Sequence, residues 1–419
     1  MAAHPPEEAG SLAPAQAPAP LAEARQAAEA ALGHIRVLAE QIGPRPAGSP
    51  AERQALDYLA GRLQAGGWRV ERLPAPFAPL PRFFPWYALG GVLLAAAGWA
   101  VVRHPLLAAL APAGLTLLPQ AARWILRHRR RTGQSENLLA LPPGGGPLPT
   151  ADKVRPRSDH LLLCAHVDSA PANAFRHPAL RWLHSKTLFL GLRLAFLLAV
   201  MAGLAALGIL IPPLLADFLQ WAGLLFGLWW ALAEVYTQWA GRRHSPGAFD
   251  NASGVGLLLA LAEQWGARRR GVGFLFTGAE ETGLHGAAAF ADGLTAVMAG
   301  RPEWRGVSVL NVDMVGAGDR LVYISRDGLL WPRRTDARLN ALLARAAPGI
   351  GELPQTLRSG DHLPFLERGI PATTLQAAGS AAAERAYHTE QDTPAVLEVE
   401  ALARAAQAVR GVVDTLEFE

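Results

Sequence analysis

The sequence has little cysteine, little lysine and few charges, and each shortage excludes a class of protein. Its 419 residues include one cysteine, Cys164, so the chain holds neither an internal disulfide nor a metal site built from several cysteines. Lysine occurs only at Lys153 and Lys186, and a net charge of +4 gives no basic surface typical of nucleic-acid binding. Charged residues are 18% and apolar residues 51%, which excludes a disordered chain and raises the question of a membrane-embedded part.

The sequence contains long runs without an ionisable side chain. Four such runs occur in two pairs, and each is close to the roughly 20 apolar residues that a membrane-spanning helix needs. Residues 103–105, between the first two runs, indicate a tight turn, and Pro212 and Pro213 break the helix near the end of the third run. We therefore expect two transmembrane helical hairpins, at 82–126 and 187–240. The charge-free runs are 83–102, 105–122, 194–216 and 218–233.

The charges that flank the hairpins predict an orientation. Basic residues concentrate where each hairpin enters and leaves the membrane, whereas the turns carry only Arg103 and Asp217. Positive charge favours the cytoplasmic side, so the rest of the chain is expected there. Residues 1–20 lack the features of a signal peptide and are expected to form a flexible tail. The flanking basic residues are Arg82, Arg123, Arg127, Arg129, Arg130, Arg131, Arg181, Lys186, Arg242 and Arg243.

Outside the hairpins, short apolar strands alternate with amphipathic helices. Runs such as 160–165 and 271–277 predict buried strands, and 252–265 predicts a helix. This alternation indicates an α/β sandwich with a largely parallel, buried sheet. The segments that have to form this one body are 21–81, 134–186 and 244–419.

Acidic residues and histidines cluster where predicted strands end. In open α/β sheets these ends converge on one edge, so the side chains are expected to meet there. Two histidines and three carboxylates are nitrogen and oxygen ligands of the kind that zinc or manganese takes, and they suffice for two ions if one carboxylate bridges. Each feature alone is common without a site; an adjacent glutamate pair often complements a helix dipole. The full cluster, which has two carboxylates more than these five ligands, is His166, Asp168, Asp250, Glu280, Glu281, Asp313 and His388.

Taken in chain order, the motifs around these residues resemble those of the dinuclear-zinc exopeptidases (peptidase family M28), which include aminopeptidases, some carboxypeptidases and the related glutaminyl cyclases. The resemblance runs from about residue 42 to the end and implies a three-layer α/β/α fold with a mixed, largely parallel sheet. The chain departs from the family's short loop between His166 and Asp250, which here spans 84 positions because the second hairpin is inserted. The motifs are Gly43-Pro-Arg-Pro-Ala-Gly-Ser-Pro50, His166-Val-Asp168, Asp250-Asn-Ala-Ser-Gly-Val255, Gly278-Ala-Glu-Glu-Thr-Gly-Leu284, Asn311-Val-Asp313, Ser359-Gly-Asp-His-Leu-Pro-Phe365 and Tyr387-His388-Thr389.

The resemblance implies a set of metal ligands. His166 and Asp313 would bind one Zn²⁺ ion. Glu281 and His388 would bind a second, and Asp250 would bridge the two. The same ligands accept Mn²⁺ or Co²⁺, so the sequence leaves the native metal open.

The resemblance also implies the catalytic groups. Glu280 would be the general base that activates water and then protonates the leaving nitrogen. Asp168 would orient the preceding histidine. Asp361, His362 and Tyr387 would line the substrate site. The implied reaction is hydrolysis of a peptide bond, with removal of an N-terminal residue favoured over removal of a C-terminal one.

Two other functions stay open on the sequence alone. A glutaminyl cyclase would typically use one zinc, and the two full ligand sets argue against it. A non-catalytic membrane receptor or scaffold on the same fold would have lost ligands, whereas all five positions and Glu280 are present here. The expected partners are a peptide with a free N-terminus and the lipid bilayer, with no nucleic acid, and the oligomeric state is open.

Overall fold

The structure is a computed structural model that describes residues 19–79, 85–143, 160–175, 177–240, 243–269, 271–300, 306–328, 331–356 and 358–418. Most of the expected tail at 1–20, and the flanking residues Arg82 and Arg242, lie outside these described residues. In chain order the helices are α1 (Ala19–Arg36), α2 (Pro50–Ala65), α3 (Pro85–Ala100), α4 (Pro105–Ala109), α5 (Ala111–His128), α6 (Pro178–Ala206), α7 (Pro213–Ala240), α8 (Ser253–Trp265), α9 (His285–Gly300), α10 (Ala337–Ala346), α11 (His362–Glu367), α12 (Ala381–Ala386) and α13 (Val399–Phe418). The strands are β1 (Arg69–Phe77), β2 (Gly133–Leu141), β3 (His160–His166), β4 (Val272–Thr277), β5 (Val307–Val312), β6 (Arg320–Asp327), β7 (Arg333–Arg334), β8 (Gly351–Gln355) and β9 (Ala372–Ala378).

The strands form one mixed sheet in the order β1-β2-β4-β3-β5-β9-β6-β7, with β8 paired to β6. The central strands β4, β3, β5 and β9 run parallel to one another, and β2 and β6 join them antiparallel on either side. The central strands are almost continuously apolar because both of their faces are covered. The α/β class predicted from the sequence is confirmed, and the parallel part of the sheet is its centre.

Helices cover the sheet on both faces and make three layers. Along β3, Leu161 and Leu163 pack with α1, α2, α8 and α13, whereas Leu162 and Cys164 pack with α9 and α11. This follows from the two-residue period of a strand. Cys164 is fully buried between β4 and β5, as a small core residue.

Each predicted hairpin leaves the α/β body, which is formed by the residues outside the two insertions, and returns to it at the same place. The first lies between β1 and β2, which pair antiparallel so that Phe77 is opposite Gly133. The second begins and ends at a bridge between Pro171 and His244. Both insertions therefore leave the sheet continuous.

The inserted helices form a separate bundle with its own apolar core. Trp230 of α7 is 2% exposed and packs among residues of α3, α5 and α6. Among the described residues, α6 and α7 are long and apolar enough to cross a membrane. The other two expected spans differ from this pattern, because α3 is shorter and the run 105–122 is divided at Leu110 into α4 and α5.

The boundaries of the second hairpin also differ from expectation. Helix α6 begins at Pro178 rather than near residue 187, and it continues through Arg181, Lys186 and Arg193. The turn to α7 occupies 207–212, whereas the sequence placed it at Pro212 and Pro213. An α-helix tolerates these basic residues because long side chains carry their charge away from the apolar surface.

Candidate metal centre

The candidate ligands lie at one edge of the sheet, at the carboxyl ends of β3, β4 and β5. His166 is the last residue of β3, and it pairs in register with Thr277 at the end of β4. Glu280 and Glu281 follow β4 in the loop before α9, and Asp313 follows β5 directly. Because these three strands are adjacent and parallel, their terminal residues converge, as the sequence predicted.

Asp250 lies between the two histidines. Its Oδ1 is 3.1 Å from Nε2 of His166, and its Oδ2 is 3.1 Å from Nε2 of His388. A carboxylate that presents one oxygen to each histidine has the arrangement that a bridging ligand needs. The peptide bond that follows Asp250 is cis.

One further carboxylate accompanies each histidine. Asp313 Oδ1 is 3.8 Å from Nε2 of His166, and Glu281 Oε2 is 3.5 Å from Nε2 of His388. Asp313 Oδ1 and Glu281 Oε1 are buried and have no hydrogen-bond partner among the described residues. Donor atoms of His166, Asp250 and Glu281 all lie within 4.8 Å of one another. Buried carboxylate oxygens without partners, next to imidazole nitrogens, fit a bound zinc ion.

The pKa values show that this cluster favours positive charge. Burial alone would lower the pKa of His388, but the carboxylates of Glu281 and Asp250 raise it to about 10. Burial would raise the pKa of Asp250, yet hydrogen bonds from His166 and His388 lower it. Both shifts have the same cause, the close approach of carboxylates to the two imidazoles, and a buried group of carboxylates of this kind favours a divalent cation.

Asp168 fixes the loop that carries both glutamates. Its carboxylate accepts hydrogen bonds from the backbone N–H of Glu280 and of Glu281, each at 3.0 Å. Nδ1 of His166 is closer to the backbone oxygen of Asp168, at 3.1 Å, than to its carboxylate, at 3.6 Å. Asp168 therefore contacts His166 as expected, and it also positions the general-base candidate, which the sequence did not indicate.

Glu280 is held in a setting suited to proton transfer. Burial raises its pKa well above the ordinary value, so the side chain retains a proton more readily than a solvated glutamate. The preceding residue, Ala279, has φ of 54°, in the left-handed region. Met314 and His388 share that conformation, with φ of 53° and 52°. Strained backbone of this kind concentrates at functional sites because the surrounding contacts enforce it.

Arg45, in the motif that runs from Gly43 to Pro50, holds the two loops that bring His166 and Asp250 together. It is 1% exposed, and its guanidinium donates to five backbone carbonyl oxygens. One belongs to Val167, at 2.9 Å, and another to Gly247, at 3.1 Å. Sequence reasoning missed this role because the acceptors are main-chain groups, and three of the five lie more than 100 residues along the chain.

Asp392 supports the loop of Asp250 from the other side. Its carboxylate accepts from the N–H of Phe249 at 2.6 Å and of Asp250 at 3.2 Å. Burial raises its pKa to about 7. The only sign of this role in the sequence is that Asp392 lies in the same polar loop as His388.

Tyr387 and Arg358 form a stack on His388. The rings of Tyr387 and His388 are 3.9 Å apart between centroids at 18°, and the Arg358 guanidinium lies 4.2 Å above the Tyr387 ring. Arg358 was not predicted as a site residue. It adds a cation beside a cluster that is otherwise acidic.

Asp361 and His362 lie beside the cluster and make contacts within the body. Asp361 accepts from the hydroxyl of Thr277, at the end of β4. His362 is fully buried, 2.8 Å from the hydroxyl of Thr374 and 3.5 Å from Asp327. These contacts join α11 to β9 and β6. Both residues remain candidates for the substrate site by position only.

The α/β/α fold and the arrangement of the candidate site resemble those of zinc exopeptidases. Residues 234–413 match the family model described as Peptidase family M28, and this stretch contains Asp250, Glu280, Glu281, Asp313 and His388. The resemblance inferred from the motifs is confirmed. The chain is also 29% identical over 187 residues to Aminopeptidase YwaD of Bacillus subtilis (strain 168), which covers 40% of this chain and 37% of that protein.

Solved structures share the fold at low identity. A zinc aminopeptidase from Bacillus subtilis superposes with a TM-score of 0.52 at 17% identity, covering 93% of this chain and 94% of its own. An aminopeptidase from Aneurinibacillus sp. strain AM-1 gives 0.51 at 16%, covering 94% of both chains. A glutaminyl cyclase from Fimbriiglobus ruber also gives 0.51 at 16%, covering 98% and 99%. These neighbours are named for two different activities, so the likeness establishes the fold alone.

Proposed function

We propose that this protein is a membrane-anchored exopeptidase with two metal ions, and that it removes residues from the free N-terminus of peptides. The observation that carries the proposal is the position of Asp250, which gives one carboxylate oxygen to each histidine while Asp313 and Glu281 lie beside them. Removal from the N-terminus is favoured because the curated relative and two of the structural neighbours are named aminopeptidases.

The chain's own residues divide the reaction between them. His166, Asp250 and Asp313 would hold one ion, with Asp250 shared, and Glu281 and His388 would hold the other. When bound, such ions polarise a carbonyl and lower the pKa of a bound water to about 7.

Glu280 provides the proton transfers. It takes the proton of the attacking water and delivers it to the departing nitrogen. Its raised pKa suits both halves of that task. The carboxylate is a stronger base toward the water, and the carboxyl group that results keeps the proton until it passes to the nitrogen. Asp168 holds Glu280 in place through the backbone N–H.

Membrane anchoring is supported by the outer surface of the inserted bundle. Large apolar side chains are exposed on it throughout, including Leu210 at 93%, Leu214 at 84% and Trp239 at 79%. An apolar surface of this extent favours contact with lipid over contact with water. The basic flanks support a cytoplasmic body.

The test compares wild-type protein with Glu280→Gln after purification in detergent. A pool of peptides with free and blocked N-termini is incubated with each, and the products and the bound metal are measured by mass spectrometry. We expect two metal ions in both proteins, loss of single N-terminal residues from free peptides only, and a rate lower by about 10²–10⁴-fold in the variant. Glu400→Gln, at an exposed position of α13, is the matched control and should retain full activity.

Other outcomes would assign the other functions. Release of C-terminal residues would make the protein a carboxypeptidase. Loss of ammonia from N-terminal glutamine would make it a cyclase. Protein that binds metal but changes none of the peptides would contradict the proposal and favour a receptor or scaffold.

A further inference from the structure

A cleft of about 1210 Å³ lies between the inserted bundle and the α/β body. One wall is a face of α5 that carries both apolar and polar side chains. The other wall consists of the loop before α9, the β6–β7 turn and α11. Because α5 belongs to the first insertion, one wall of the cleft is supplied by the inserted bundle and the other by the body.

The bundle side of the cleft continues the apolar outer surface of the bundle. Leu117 and Trp124 of α5 line it and are 50% and 62% exposed. Trp331, between β6 and β7, also lines the cleft and is 78% exposed. Tryptophan is enriched at the boundary between lipid and water. These exposed side chains give the cleft an apolar wall.

The other side of the cleft is formed by segments that follow candidate site residues closely in the chain. Gly283, Leu284 and His285 line it, and they begin two residues after Glu281. Leu363 of α11 lines it as well, two residues after Asp361. The loop that carries both glutamates thus has the metal cluster at one end and the cleft at the other.

Charged side chains of both signs line the cleft. Arg131, just after α5, and Arg333, on β7, are basic, whereas Asp327 and Glu367 are acidic. The cleft therefore favours neither sign of charge, and its apolar wall is what would select a ligand.

We propose that the cleft binds the apolar stretch of a membrane-derived peptide whose N-terminus lies at the metal centre. The proposal rests on the proposed function and specifies its substrate class. A peptide fits because it combines a scissile amide with an apolar stretch, which match the candidate metal centre and the apolar wall of the cleft. Polar peptides of equal length would gain nothing from the apolar walls.

The first experiment measures substrate preference. Two pentapeptides with the same first residue, Ala-Leu-Leu-Leu-Leu and Ala-Ser-Gly-Ser-Gly, are compared by kcat/KM. We expect wild type to prefer the apolar peptide, Trp331→Ala to lose roughly 10-fold of that preference, and Trp239→Ala to keep it. Trp239 is 79% exposed at the end of α7, matches Trp331 in exposure and does not line the cleft. Detergent partitioning affects all three proteins equally.

The second experiment blocks the cleft in protein that has already folded. Ala121→Cys, on the α5 wall, is treated after purification with a bulky methanethiosulfonate, and dithiothreitol then removes the group. Cys164 is fully buried and does not compete. Binding of a fluorescent derivative of the apolar pentapeptide to the Glu280→Gln protein carrying Ala121→Cys should fall at least 10-fold on labelling and return on reduction. Ala205→Cys, exposed on α6 outside the cleft, should show no change.

The outcomes separate this inference from the proposed function. Equal preference in wild type and Trp331→Ala, or binding that labelling at position 121 leaves unchanged, would overturn the cleft while hydrolysis of the polar peptide still supports the exopeptidase. No hydrolysis of either peptide, with binding that labelling abolishes, would overturn the exopeptidase and retain the cleft as a peptide-binding site.

Discussion

Arg45 shows how much of the site depends on a residue that touches no substrate. Its guanidinium donates to five carbonyls at distances of 2.8 to 3.1 Å, and three of these belong to the segments that lead to or from His166 and Asp250. Arginine suits this task because it has five donors in a rigid plane, and lysine has only three around one atom.

We therefore expect Arg45→Lys to destabilise the protein although the charge is kept. The change leaves at least two buried carbonyls without a donor, at a cost of about 3 kcal/mol. The midpoint of thermal unfolding should fall, and bound metal should fall with it. Arg53→Lys, on the exposed face of α2, is the control and should match wild type in both measurements. An Arg45→Lys protein with normal metal content would show that the loops are held by other contacts.

Glu52 gives a pH dependence whose sign is fixed by its burial. It accepts from the N–H of Gly48 at 2.6 Å and from the hydroxyl of Ser135 at 2.8 Å, yet burial raises its pKa from 4.5 to about 8, and the charge of Asp168 adds to the rise. The folded state therefore holds a proton that the unfolded state releases between those values. Stability from this group is fully present at low pH and is lost as pH rises through about 8.

The variant Glu52→Gln tests that sign, because glutamine stays neutral. The amide also loses an acceptor, so an offset in stability is expected at every pH. The slope is the measurement: the unfolding midpoint of wild type, relative to Glu52→Gln, should decrease steadily from pH 5 to pH 8. A difference that is flat, or that increases with pH, would mean that Glu52 is ionised in the folded protein.

At the scale of elements, the contact between α3 and α7 depends on glycine. A Cβ placed on Gly227 would lie 2.4 Å from the backbone nitrogen of Ala95, and one on Gly91 would lie 2.4 Å from that of Ala231. Helix backbones approach this closely in membranes because small residues replace side-chain packing there.

Gly227→Ala should push these helices apart and lower the unfolding midpoint of the detergent-solubilised protein. A cost of about 1–3 kcal/mol is expected, since backbone atoms cannot move aside as a flexible side chain can. Gly203→Ala, on α6 with nothing within 4 Å of the added Cβ, is the matched substitution and should not destabilise. If both variants behave alike, the close contact of α3 and α7 contributes no stability.

The sequence predicted the elements of the body more closely than those of the bundle. The strands at 160–165 and 271–277 are β3 and β4 within a residue, because their apolar runs end where polar site residues begin. In the bundle, absence of charge was the only signal, and it does not mark helix ends. Helix α6 extends through Arg193, and the break at Leu110 separates two runs that share one composition.

Some residues of the candidate site could be predicted from the sequence and others could not. The side chains now within contact of Asp250 were predicted, because histidines and carboxylates at strand ends form a recognisable set. The contacts by which Arg45 and Asp392 hold these loops were not predicted, because they join side chains to backbone groups such as Val167 and Phe249, more than 100 residues away. Such contacts depend on the completed fold and leave no local pattern in the sequence.

At the scale of the whole molecule, the insertion points constrain the topology. The first hairpin leaves β1 and returns at β2 opposite the same strand end, and the second leaves and returns through the Pro171–His244 bridge. Each insertion is therefore an excursion that begins and ends at the body. If the bundle is embedded in a bilayer, all parts of the body lie on one side, and the turn at 207–212 lies on the other.

Cysteine labelling in intact cells can assign those two sides, because the native Cys164 is buried and gives no background. Leu210 in the turn is 93% exposed, so Leu210→Cys should react with a membrane-impermeant maleimide from outside. Arg53→Cys, on the body, should react only after permeabilisation, since the basic flanks favour a cytoplasmic body. The reverse pattern would place the candidate metal centre outside the cell. Equal labelling of both positions without permeabilisation would contradict the embedded bundle itself, because no bilayer would then separate the turn from the body.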